Sequence, residues 1–521
     1  MRLAQSSTAT ALAAAAAVSA ASSSYDTCCA RLAAALGDDI VTTTPFAETD
    51  YFSIQESSLV PACIVRPRSA QHVSKAVTIL TTSRVPGCQF AVKGGGHTPA
   101  GGSANIQGGV TIDMKFLNAT VLSEDKTSVA VGAGAVWNDV YGYLGDFNLA
   151  AAGGRNGGVG VGGLLLGGGI SHFSPRVGWA CDTVVEYEIV LANGTLVTVS
   201  GTSYPDLYRA LKGGGNNFGV VTRYTLTAFP QGNMSVNTIS YDVSQIGAVF
   251  DAFTDIAASP NFDPYVSLQT DLLYVPAAKA WSVTSSASYT KPVLHPEVFS
   301  GLEAVPSISN TSEITAVAAL AAENPTPPLN WLFATLTFGT SSETMLGIFN
   351  ALNGSLYDFN PAGGVTWSFA FEPLPSVMLS HSAATGGNVL GLEPEDGNGV
   401  SKLLRPGIFS RHVLVVHALT IYLPMGLTLT PTVLLVSALW PNSSSNDSVY
   451  RKGRDTFAAI KAVAERKGML RKFEYLNYAG PHQAPLASYG TDNLDYLRKV
   501  SKKYDPTGVF QRKVPGGFKL W

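Results

Sequence analysis

The chain has 521 residues, 46% of them hydrophobic and 14% charged, and a formal net charge of −3 at pH 7. That length predicts two domains, each with a substantial apolar core. The slightly acidic charge and the lack of a basic patch argue against a nucleic-acid partner. After the N-terminus, no stretch has the ~18 consecutive apolar residues of a membrane span.

Residues 1–21 combine one charged residue, an alanine-rich run and small residues at the end. This pattern predicts a secretory signal peptide, with a disordered or other targeting segment as the alternative. Asn-x-Ser/Thr sequons, which suit a secreted glycoprotein, begin at Asn118, Asn193, Asn233, Asn310, Asn353, Asn442 and Asn446. Asn193 and Gly194 lie between two β-rich runs, where Asn-Gly predicts a hairpin turn.

The cysteines are Cys28, Cys29, Cys63, Cys88 and Cys181, and their spacing matches no metal site. Disulfide bonds in an oxidising compartment are therefore expected. One bridge from Cys28 or Cys29 to Cys88 would fix the N-terminal arm beside a glycine-rich loop.

The first regular elements form a predicted β-α-β unit. Residues 62–66 and 89–93 are short β-rich runs, and 69–83 carries apolar residues at helical spacing with Ser69 as its N-cap. A glycine-rich loop that contains His97 follows the second strand. Because α/β folds bind ligands at this end of their strands, we expect His97 to face a ligand.

Further elements alternate up to residue 230, after which the sequence changes in character. Strands are predicted over 110–114, 128–131 and 220–228, helices over 136–148 and 206–212, and a hairpin over 183–200. After Pro230, glycine loops become rare, and helical and β-like runs alternate to residue 470. We interpret 231–470 as a second domain, inserted before a C-terminal segment.

Two glycine strings resemble nucleotide-binding motifs but lack part of each pattern. Residues 158–163 satisfy Gly-x-Gly-x-x-Gly, and Asp182 lies near the distance of a ribose-binding acid. That motif must open a helix, however, and the glycines at 167–169 would end such a helix within two turns. Gly96 and Gly101 have P-loop spacing without the P-loop lysine, which disfavours phosphoryl transfer.

Because both nucleotide-binding motifs are incomplete, the glycine loops favour a cofactor that is held by backbone groups and by His97. The exposed N–H groups of glycine loops can surround a pyrophosphate without a lysine, and glycine lets a backbone approach a ligand closely. Three glycines precede His97, so its imidazole is presented to that ligand. These features predict a flavin dinucleotide that is held partly by a covalent bond.

Six motifs occur in the order and spacing of a known family. They are Val92-Lys-Gly-Gly-Gly-His-Thr98, Gly162-Gly-Leu-Leu-Leu-Gly-Gly-Gly-Ile-Ser171, Ser174-Pro-Arg-Val-Gly-Trp-Ala-Cys-Asp182, Gly213-Gly-Gly-Asn-Asn-Phe-Gly-Val-Val-Thr222, Tyr475-Leu-Asn-Tyr478 and Tyr504-Asp-Pro506. Over 55–230 and 470–518 the chain resembles the FAD-linked oxidases with a PCMH-type (vanillyl-alcohol-oxidase-type) FAD domain, in the berberine-bridge-enzyme-like group. The section between these ranges matches only loosely.

The resemblance implies an α+β fold with a PCMH-type FAD-binding domain of two α/β subdomains at 22–230. It also implies an inserted α+β substrate domain with an antiparallel sheet at 231–470, and a C-terminal segment at 471–521 that completes the FAD domain. The family's loop histidine bonds to the 8α carbon of the flavin, and His97 matches it. Expected cofactor-binding residues are Gly94, Gly95, Gly96, His97, Thr98, Gly101, Gly102, Ser103, Gly158, Gly162, Gly163, Gly168, Ser171, Gly219, Val220 and Asn477.

Many relatives add a second, cysteinyl bond to the flavin. Alignment through Gly160 and Gly163 puts the cysteine position near Asn156, and 153–169 contains no cysteine. The resemblance therefore implies a single covalent link, an 8α-histidyl bond through His97.

By resemblance, a hydride passes from a small-molecule substrate (an alcohol, a sugar or a secondary metabolite) to FAD, and O₂ takes up the electrons to give H₂O₂. Tyr478 matches a tyrosine that relatives use as base or substrate anchor; a core tyrosine is the alternative. His172 is a candidate for the substrate side, or else a turn histidine. Glu372, expected at a strand edge, and His381 and His482, expected in loops, are further candidates.

Two other functions stay open at this stage. One is a secreted flavin-binding glycoprotein with little turnover. The other is a nicotinamide-dependent dehydrogenase, which the interrupted dinucleotide motif disfavours. We expect a monomer that binds no metal.

Overall fold

A computed structural model describes residues 27–44, 47–48, 50–82, 88–323, 328–398 and 429–521. The predicted signal peptide at 1–21 lies outside the described residues. Within the described ranges, no helix has both the length and the apolar character needed to cross a membrane.

The strands, β1 to β19 in chain order, span Val41–Thr42, Cys63–Val65, Phe90–Lys93, Val110–Asp113, Thr120–Leu122, Ser128–Gly132, Leu149–Ala150, Val184–Val190, Leu196–Ser200, Val220–Thr227, Phe229–Pro230, Met234–Tyr241, Val266–Val275, Ala280–Tyr289, Ser309–Thr315, Asn330–Gly339, Thr366–Pro373, Pro431–Trp440 and Leu470–Arg471. The α-helices, α1 to α17, span 27–36, Ile54–Ser57, Ala70–Thr82, Trp137–Gly145, Val161–Leu166, Ser174–Val177, Pro205–Leu211, Ile246–Ala257, Ser300–Ala304, Val317–Ala321, Ser342–Leu356, Ser376–Leu379, Pro394–Asn398, Asn446–Arg466, Pro485–Ser488, Thr491–Tyr504 and Val509–Arg512. Short 3₁₀ helices span Met114–Phe116, Ala180–Thr183, Val243–Gln245, Pro276–Ala278, Glu297–Phe299, Ser382–Thr385, Ser443–Ser445 and Leu476–Tyr478.

The N-terminal sheet has the order β1-β2-β4-β3, with β2, β4 and β3 parallel and β1 antiparallel to β2. Helix α3 connects β2 to β3, which confirms the predicted β-α-β unit, although β4 lies between its two strands. The Ser69 Oγ accepts a hydrogen bond from the His72 amide at 3.2 Å, so the predicted N-cap is also confirmed.

Two disulfides join the N-terminal helix α1 to this sheet. Cys28 pairs with Cys88, two residues before β3, which is one of the two predicted alternatives. Cys29 pairs with Cys63 on β2, a second bridge that the sequence did not predict. Cys181 is a free, buried thiol.

The second sheet is antiparallel, with the order β5-β6-β10-β8-β9. Its hairpin β8–β9 turns at the predicted Asn-Gly pair, where Gly194 has a φ of +80° and the Asn193 Oδ1 accepts from the Thr195 amide at 3.0 Å. Helix α5 follows the Gly-x-Gly string but is six residues long and ends at Gly167. The predicted interruption of the dinucleotide motif is therefore present.

An eight-stranded antiparallel sheet forms the central part of the chain, in the order β15-β12-β14-β13-β17-β18-β16-β19. Because side chains alternate along a strand, each strand presents one set of residues to each face. On one face, Leu272, Phe369, Phe371 and Val436 join a core with helices α8, α11 and α14. The other face is turned towards the N-terminal part of the molecule.

The described residues form two hydrophobic cores. One core contains the first two sheets and also the C-terminal side chains Tyr475, Leu497 and Phe510. The other contains the eight-stranded sheet and its three helices. The observed α+β architecture, with antiparallel sheets and a C-terminal segment that returns to the first core, confirms the predicted fold.

Candidate functional site

A cavity of about 1120 Å³ lies between the glycine-rich loops of the first core and the open face of the eight-stranded sheet. Small-molecule pockets usually have volumes of about 300–1,000 Å³. This cavity is therefore slightly larger than the usual range, which suits a ligand as large as a dinucleotide.

The loop after β3 forms one wall of this cavity. A Cβ atom at Gly95 would lie 2.5 Å from the Gly160 Cα, so the two glycine loops touch through their backbones. Gly96 has a φ of +70°, a left-handed conformation that favours glycine. Among the described residues, the amides of Gly95, Gly96 and His97 donate to no protein acceptor. They are free to bind a ligand's oxygen atoms.

A buried carboxylate holds this loop from behind. The Glu56 side chain accepts hydrogen bonds from the amides of Gly102, Ser103, Ala104 and Asn105, at 2.7–3.2 Å. Burial raises the pKa of Glu56 to about 7. The spacing of Ser53 and Glu56 is that of a helix capping box, which is the sequence signal that could have identified this acid.

The His97 imidazole is held in an aromatic stack. Its ring lies 4.0 Å from the Phe52 ring, and Phe52 lies 4.5 Å from Trp331 of the eight-stranded sheet. The Phe52 amide also donates to the Gly96 carbonyl at 3.2 Å. Burial lowers the pKa of His97. The imidazole is therefore neutral, and hence nucleophilic, at neutral pH.

Most of the predicted cofactor-binding residues line this cavity. They are Gly94, Gly95, Gly96, His97, Thr98, Gly101, Ser103, Gly162, Gly163, Gly219, Val220 and Asn477. Gly102, Gly158, Gly168 and Ser171 lie outside the lining. The Ser171 Oγ accepts a hydrogen bond from the Gly153 amide at 3.2 Å.

Asn156 lies near the position at which the sequence resemblance places the relatives' flavin-binding cysteine. Its Nδ2 donates to the Glu323 Oε1 at 2.6 Å, and both residues line the cavity. No cysteine of the described ranges lines the cavity. Cys181 lies in the first core, where burial raises its pKa well above the usual value.

A polar centre of three side chains lies where the eight-stranded sheet meets the first core. The Arg155 Nη2 donates to the Glu372 Oε1 at 2.7 Å and to the Tyr478 hydroxyl oxygen at 2.8 Å. The Tyr478 hydroxyl in turn donates to the Glu372 Oε1 at 2.9 Å. All three residues line the cavity. Arg155 was missed in the sequence, although a charged residue inside a glycine block is a usable signal.

Electrostatics in this centre keep the arginine charged and the tyrosine protonated. Burial raises the pKa of Tyr478 well above its usual value, and the neighbouring Glu372 adds to the effect. Although burial acts to lower the pKa of Arg155, Glu372 raises it overall. Glu372 is 2% exposed, and its Oε2 has no hydrogen-bond partner among the described residues.

Three further sequence candidates lie elsewhere. His172 is outside the cavity lining, with its Nδ1 3.0 Å from the Ser267 Oγ, and burial lowers its pKa to about 3. His381 contacts the Pro175 carbonyl, and His482 is also outside the lining. Glu372 is the second-last residue of β17, which is an interior strand of the sheet.

The open face of the eight-stranded sheet forms the opposite wall. Alternate residues of adjacent strands line the cavity: Gln269, Asp271 and Leu273 of β13, Ser368, Ala370 and Glu372 of β17, Leu435, Ser437 and Leu439 of β18, and Trp331 and Phe333 of β16. Asp271, which the sequence analysis missed, lies opposite Ala370. Burial raises the pKa of Asp271 to about 6.

Comparison with known proteins agrees with this geometry. The FAD binding domain family matches residues 61–200. The chain is 37% identical to FAD-dependent monooxygenase tpcD of Cochliobolus heterostrophus, over 90% of this chain and 87% of the relative. It is 36% identical to FAD-dependent monooxygenase sdcF of Emericella nidulans, over 91% and 93%. The chain belongs to the FAD-linked oxidoreductases with a PCMH-type FAD-binding domain.

Solved structures of similar fold include 6-hydroxy-D-nicotine oxidase from Arthrobacter nicotinovorans, with a TM-score of 0.70, 21% identity, and coverage of 92% of this chain and 97% of that one. Glucooligosaccharide oxidase from Acremonium strictum has a TM-score of 0.69 and 18% identity, over 93% and 96%. At these identities the similarity shows a shared fold.

The cavity suits the FAD of this family of enzymes. The unpaired amides of Gly95, Gly96 and His97 offer donors to a pyrophosphate. Side chains at the two touching glycines would separate the loops that form this wall. The polar centre and the open sheet face leave a second compartment for a substrate beside the cofactor.

Proposed function

We propose that the protein is a secreted FAD-dependent oxidase that takes a hydride from a small-molecule substrate and passes the electrons to O₂, giving H₂O₂. We further propose that His97 carries the only covalent bond to FAD. The observation that supports this proposal is that one cavity is lined both by the His97 loop and by the polar centre of Arg155, Glu372 and Tyr478.

The cofactor would be held by the glycine loops, with Asn477 beside it. When bound, FAD supplies the hydride-accepting centre, while the protein orients the substrate and moves protons. The Asn477 Nδ2 donates to the Leu164 carbonyl at 3.0 Å, which fixes the side chain at the cavity wall. The His97 imidazole is neutral and stacks on Phe52, so one of its ring nitrogens would hold FAD through the proposed covalent bond.

Proton removal is assigned to Tyr478 and Glu372 acting together. The raised pKa of Tyr478 makes it a poor base by itself. Its hydroxyl already donates to the Glu372 carboxylate, so its oxygen can take a substrate O–H proton while its own proton passes to Glu372. Arg155 donates to the Tyr478 oxygen and stabilises the negative charge that develops there. Tyr478 then acts as a relay, and Glu372 as the final proton acceptor.

Secretion is supported by the two disulfides, which form in oxidising compartments. Among the sequons, Asn118, Asn193, Asn233, Asn310 and Asn442 are exposed. The Asn193 side chain accepts a hydrogen bond within the hairpin turn, so the other four are the proposed glycan sites. The side chains of Asn353 and Asn446 instead accept hydrogen bonds from tryptophan indoles. We also propose that the protein is a monomer.

The covalent bond is tested by acid precipitation of the purified protein. We expect a yellow, fluorescent pellet from the wild type, and flavin in the supernatant from His97→Ala. A colourless wild-type pellet would contradict the covalent bond. If the protein is coloured but no candidate alcohol, sugar or secondary metabolite bleaches its flavin, a flavin-binding protein with little turnover is favoured instead.

A monooxygenase is the second candidate, because the sequence relatives carry that name. The two activities are separated by the fate of oxygen. We expect one H₂O₂ for each O₂ consumed and no ¹⁸O from ¹⁸O₂ in the product. Incorporation of ¹⁸O into the product would favour the monooxygenase.

A further inference from the structure

The substrate side of the cavity contains an acceptor without a donor. Glu372 is 2% exposed, and its Oε1 accepts from both Arg155 and Tyr478. Its Oε2 has no partner within the described part of the chain, and the residue lines the cavity. A buried polar atom without a hydrogen bond is costly. A donor group of a bound molecule would remove this cost.

A second carboxylate lies on the same wall. Asp271 on β13 lies opposite Ala370 on β17. Glu372 is two residues after Ala370 on the same strand. Diagonal neighbours of this kind have backbones about 7–8 Å apart. The Gln269 Nε2 donates to both Asp271 oxygens, at 2.8 and 2.9 Å, and directs the carboxylate.

Asp271 forms no ion pair in the described ranges, although the charge of Arg155 acts to lower its pKa. Arg155 is the guanidinium of this compartment, and it forms its ion pair with Glu372. Two carboxylates and one guanidinium leave an excess negative charge beside the reacting group. Burial raises the pKa of Asp271 only to about 6, so this charge is present at neutral pH.

The surrounding wall is largely apolar. Leu273 and Leu435 lie beside the carboxylates, and Trp331, Phe333 and Leu439 lie further across the sheet face. Its polar residues without charge are Gln269, Ser368 and Ser437. Such a surface favours a flat ring or another rigid apolar skeleton. Glu372 and Asp271 are the carboxylates of this sheet face.

We propose that Glu372 and Asp271 together select substrates that carry two hydrogen-bond donors, hydroxyl or protonated amine, on a rigid apolar skeleton, and that Asp271 excludes carboxylates. The first donor is the group that is oxidised: in the bound substrate its proton lies on the Glu372 Oε2, and in the reaction that proton passes to the Tyr478 oxygen. The second lies away from the oxidised carbon and binds Asp271. This inference rests on the proposed function and adds a substrate class to it.

The test uses four benzyl alcohols that differ at the position opposite the alcohol. They are 1,4-benzenedimethanol, 4-(aminomethyl)benzyl alcohol, 4-methylbenzyl alcohol and 4-(hydroxymethyl)benzoate. Stopped-flow reduction of the holoenzyme flavin, under anaerobic conditions at neutral pH, is measured at several concentrations of each alcohol. The concentration dependence of the reduction rate gives an apparent dissociation constant for each. We expect the dimethanol and the amine to bind about tenfold or more tighter than the methyl compound, and the benzoate to bind more weakly than it.

Asp271→Asn keeps an acceptor oxygen but loses the charge. In this variant we expect the amine to lose more affinity than the dimethanol, because only the amine is charged, and the benzoate to gain about tenfold in affinity. Asp358→Asn is the matched control, because Asp358 is 86% exposed and pairs with Lys279 on the surface. This control should leave all four constants unchanged.

The inference is overturned if the benzoate binds the wild type as tightly as the dimethanol and the amine do. It is likewise overturned if no probe changes the flavin absorbance. It is also overturned if Asp271→Asn changes all four constants equally. The proposed function is judged separately. A wild-type protein that retains flavin in acid and is bleached by the methyl compound keeps that function, whatever the ranking of the probes.

Discussion

At the scale of single residues, the chemistry depends on side chains that are distant in sequence. Arg155 lies between the glycines at 154 and 157, Glu372 lies on β17, and Tyr478 belongs to the C-terminal segment. Their hydrogen bonds of 2.7–2.9 Å join both cores at one point. The position of each of these three side chains therefore depends on the folding of the segments that carry the other two. Each role can be tested by a substitution that changes a few atoms.

Tyr478→Phe removes the relay hydroxyl and leaves the ring in place. We expect turnover to fall about 10²–10⁴-fold, the usual contribution of a positioned acid or base, with flavin content unchanged. Stopped-flow reduction of the flavin measures this step directly. Tyr143→Phe, whose hydroxyl accepts from the Leu122 amide in the second sheet, is the control. An unaltered reduction rate in Tyr478→Phe would remove this residue from the mechanism.

Phe52→Ala removes the ring that stacks on His97. An aromatic contact of this type contributes about 0.5–1.5 kcal/mol, so we expect covalent attachment of FAD to slow about two- to tenfold. The measurement is the fraction of flavin in the acid pellet during expression and reconstitution. Phe52→Tyr should restore the wild-type fraction, and Phe116→Ala, at an exposed ring, should not alter it. Equal fractions in Phe52→Ala and wild type would contradict a positioning role.

At the scale of elements, two glycine loops build the cofactor wall by direct backbone contact. Gly95→Ala would place a Cβ 2.5 Å from the Gly160 Cα. We expect a loss of about 1–3 kcal/mol in the free energy of unfolding, together with loss of bound flavin, measured by denaturant titration and absorbance.

The matched control for this substitution is Gly142→Ala in helix α4. A Cβ there meets no atom within 4 Å. Alanine in a helix should stabilise by about 0.5–1 kcal/mol. If both variants behave alike, the close contact between the loops is not required.

Sequence patterns predicted the local elements well because the signals are local. The Ser69 cap, the Asn193 turn and the helix-ending Gly167 each depend on neighbouring residues. The polar centre was predicted only in part, since Tyr478 and Glu372 were singled out separately. Nothing in the sequence gives the register that brings Arg155 to them. Asp271 was missed because an acidic residue on one face of a strand is equally compatible with a face that is exposed to solvent.

At the scale of the whole molecule, the cavity lies between two cores that contribute opposite walls. FAD bound there would contact both and should stabilise the folded chain as a unit. In His97→Ala, where FAD can be removed and added back, we expect a stabilisation of about 2.7 kcal/mol at 100-fold excess over the dissociation constant. A thermal unfolding scan with and without FAD measures it.

NAD at the same concentration is the control for this experiment and should leave the melting temperature unchanged. A shift with NAD and none with FAD would instead support the nicotinamide-dependent alternative. Separate transitions, of which only one moves with FAD, would contradict a cofactor that contacts both cores.

The central claim is that His97 is the single covalent attachment point of FAD. Mass spectrometry of peptides from proteolysed wild-type protein tests it most directly. We predict that the peptide containing Gly94–His97 carries the mass of the flavin on its histidine, and that no other peptide is flavinylated. An unmodified His97 peptide as the main species, or flavin on another residue, would contradict the account.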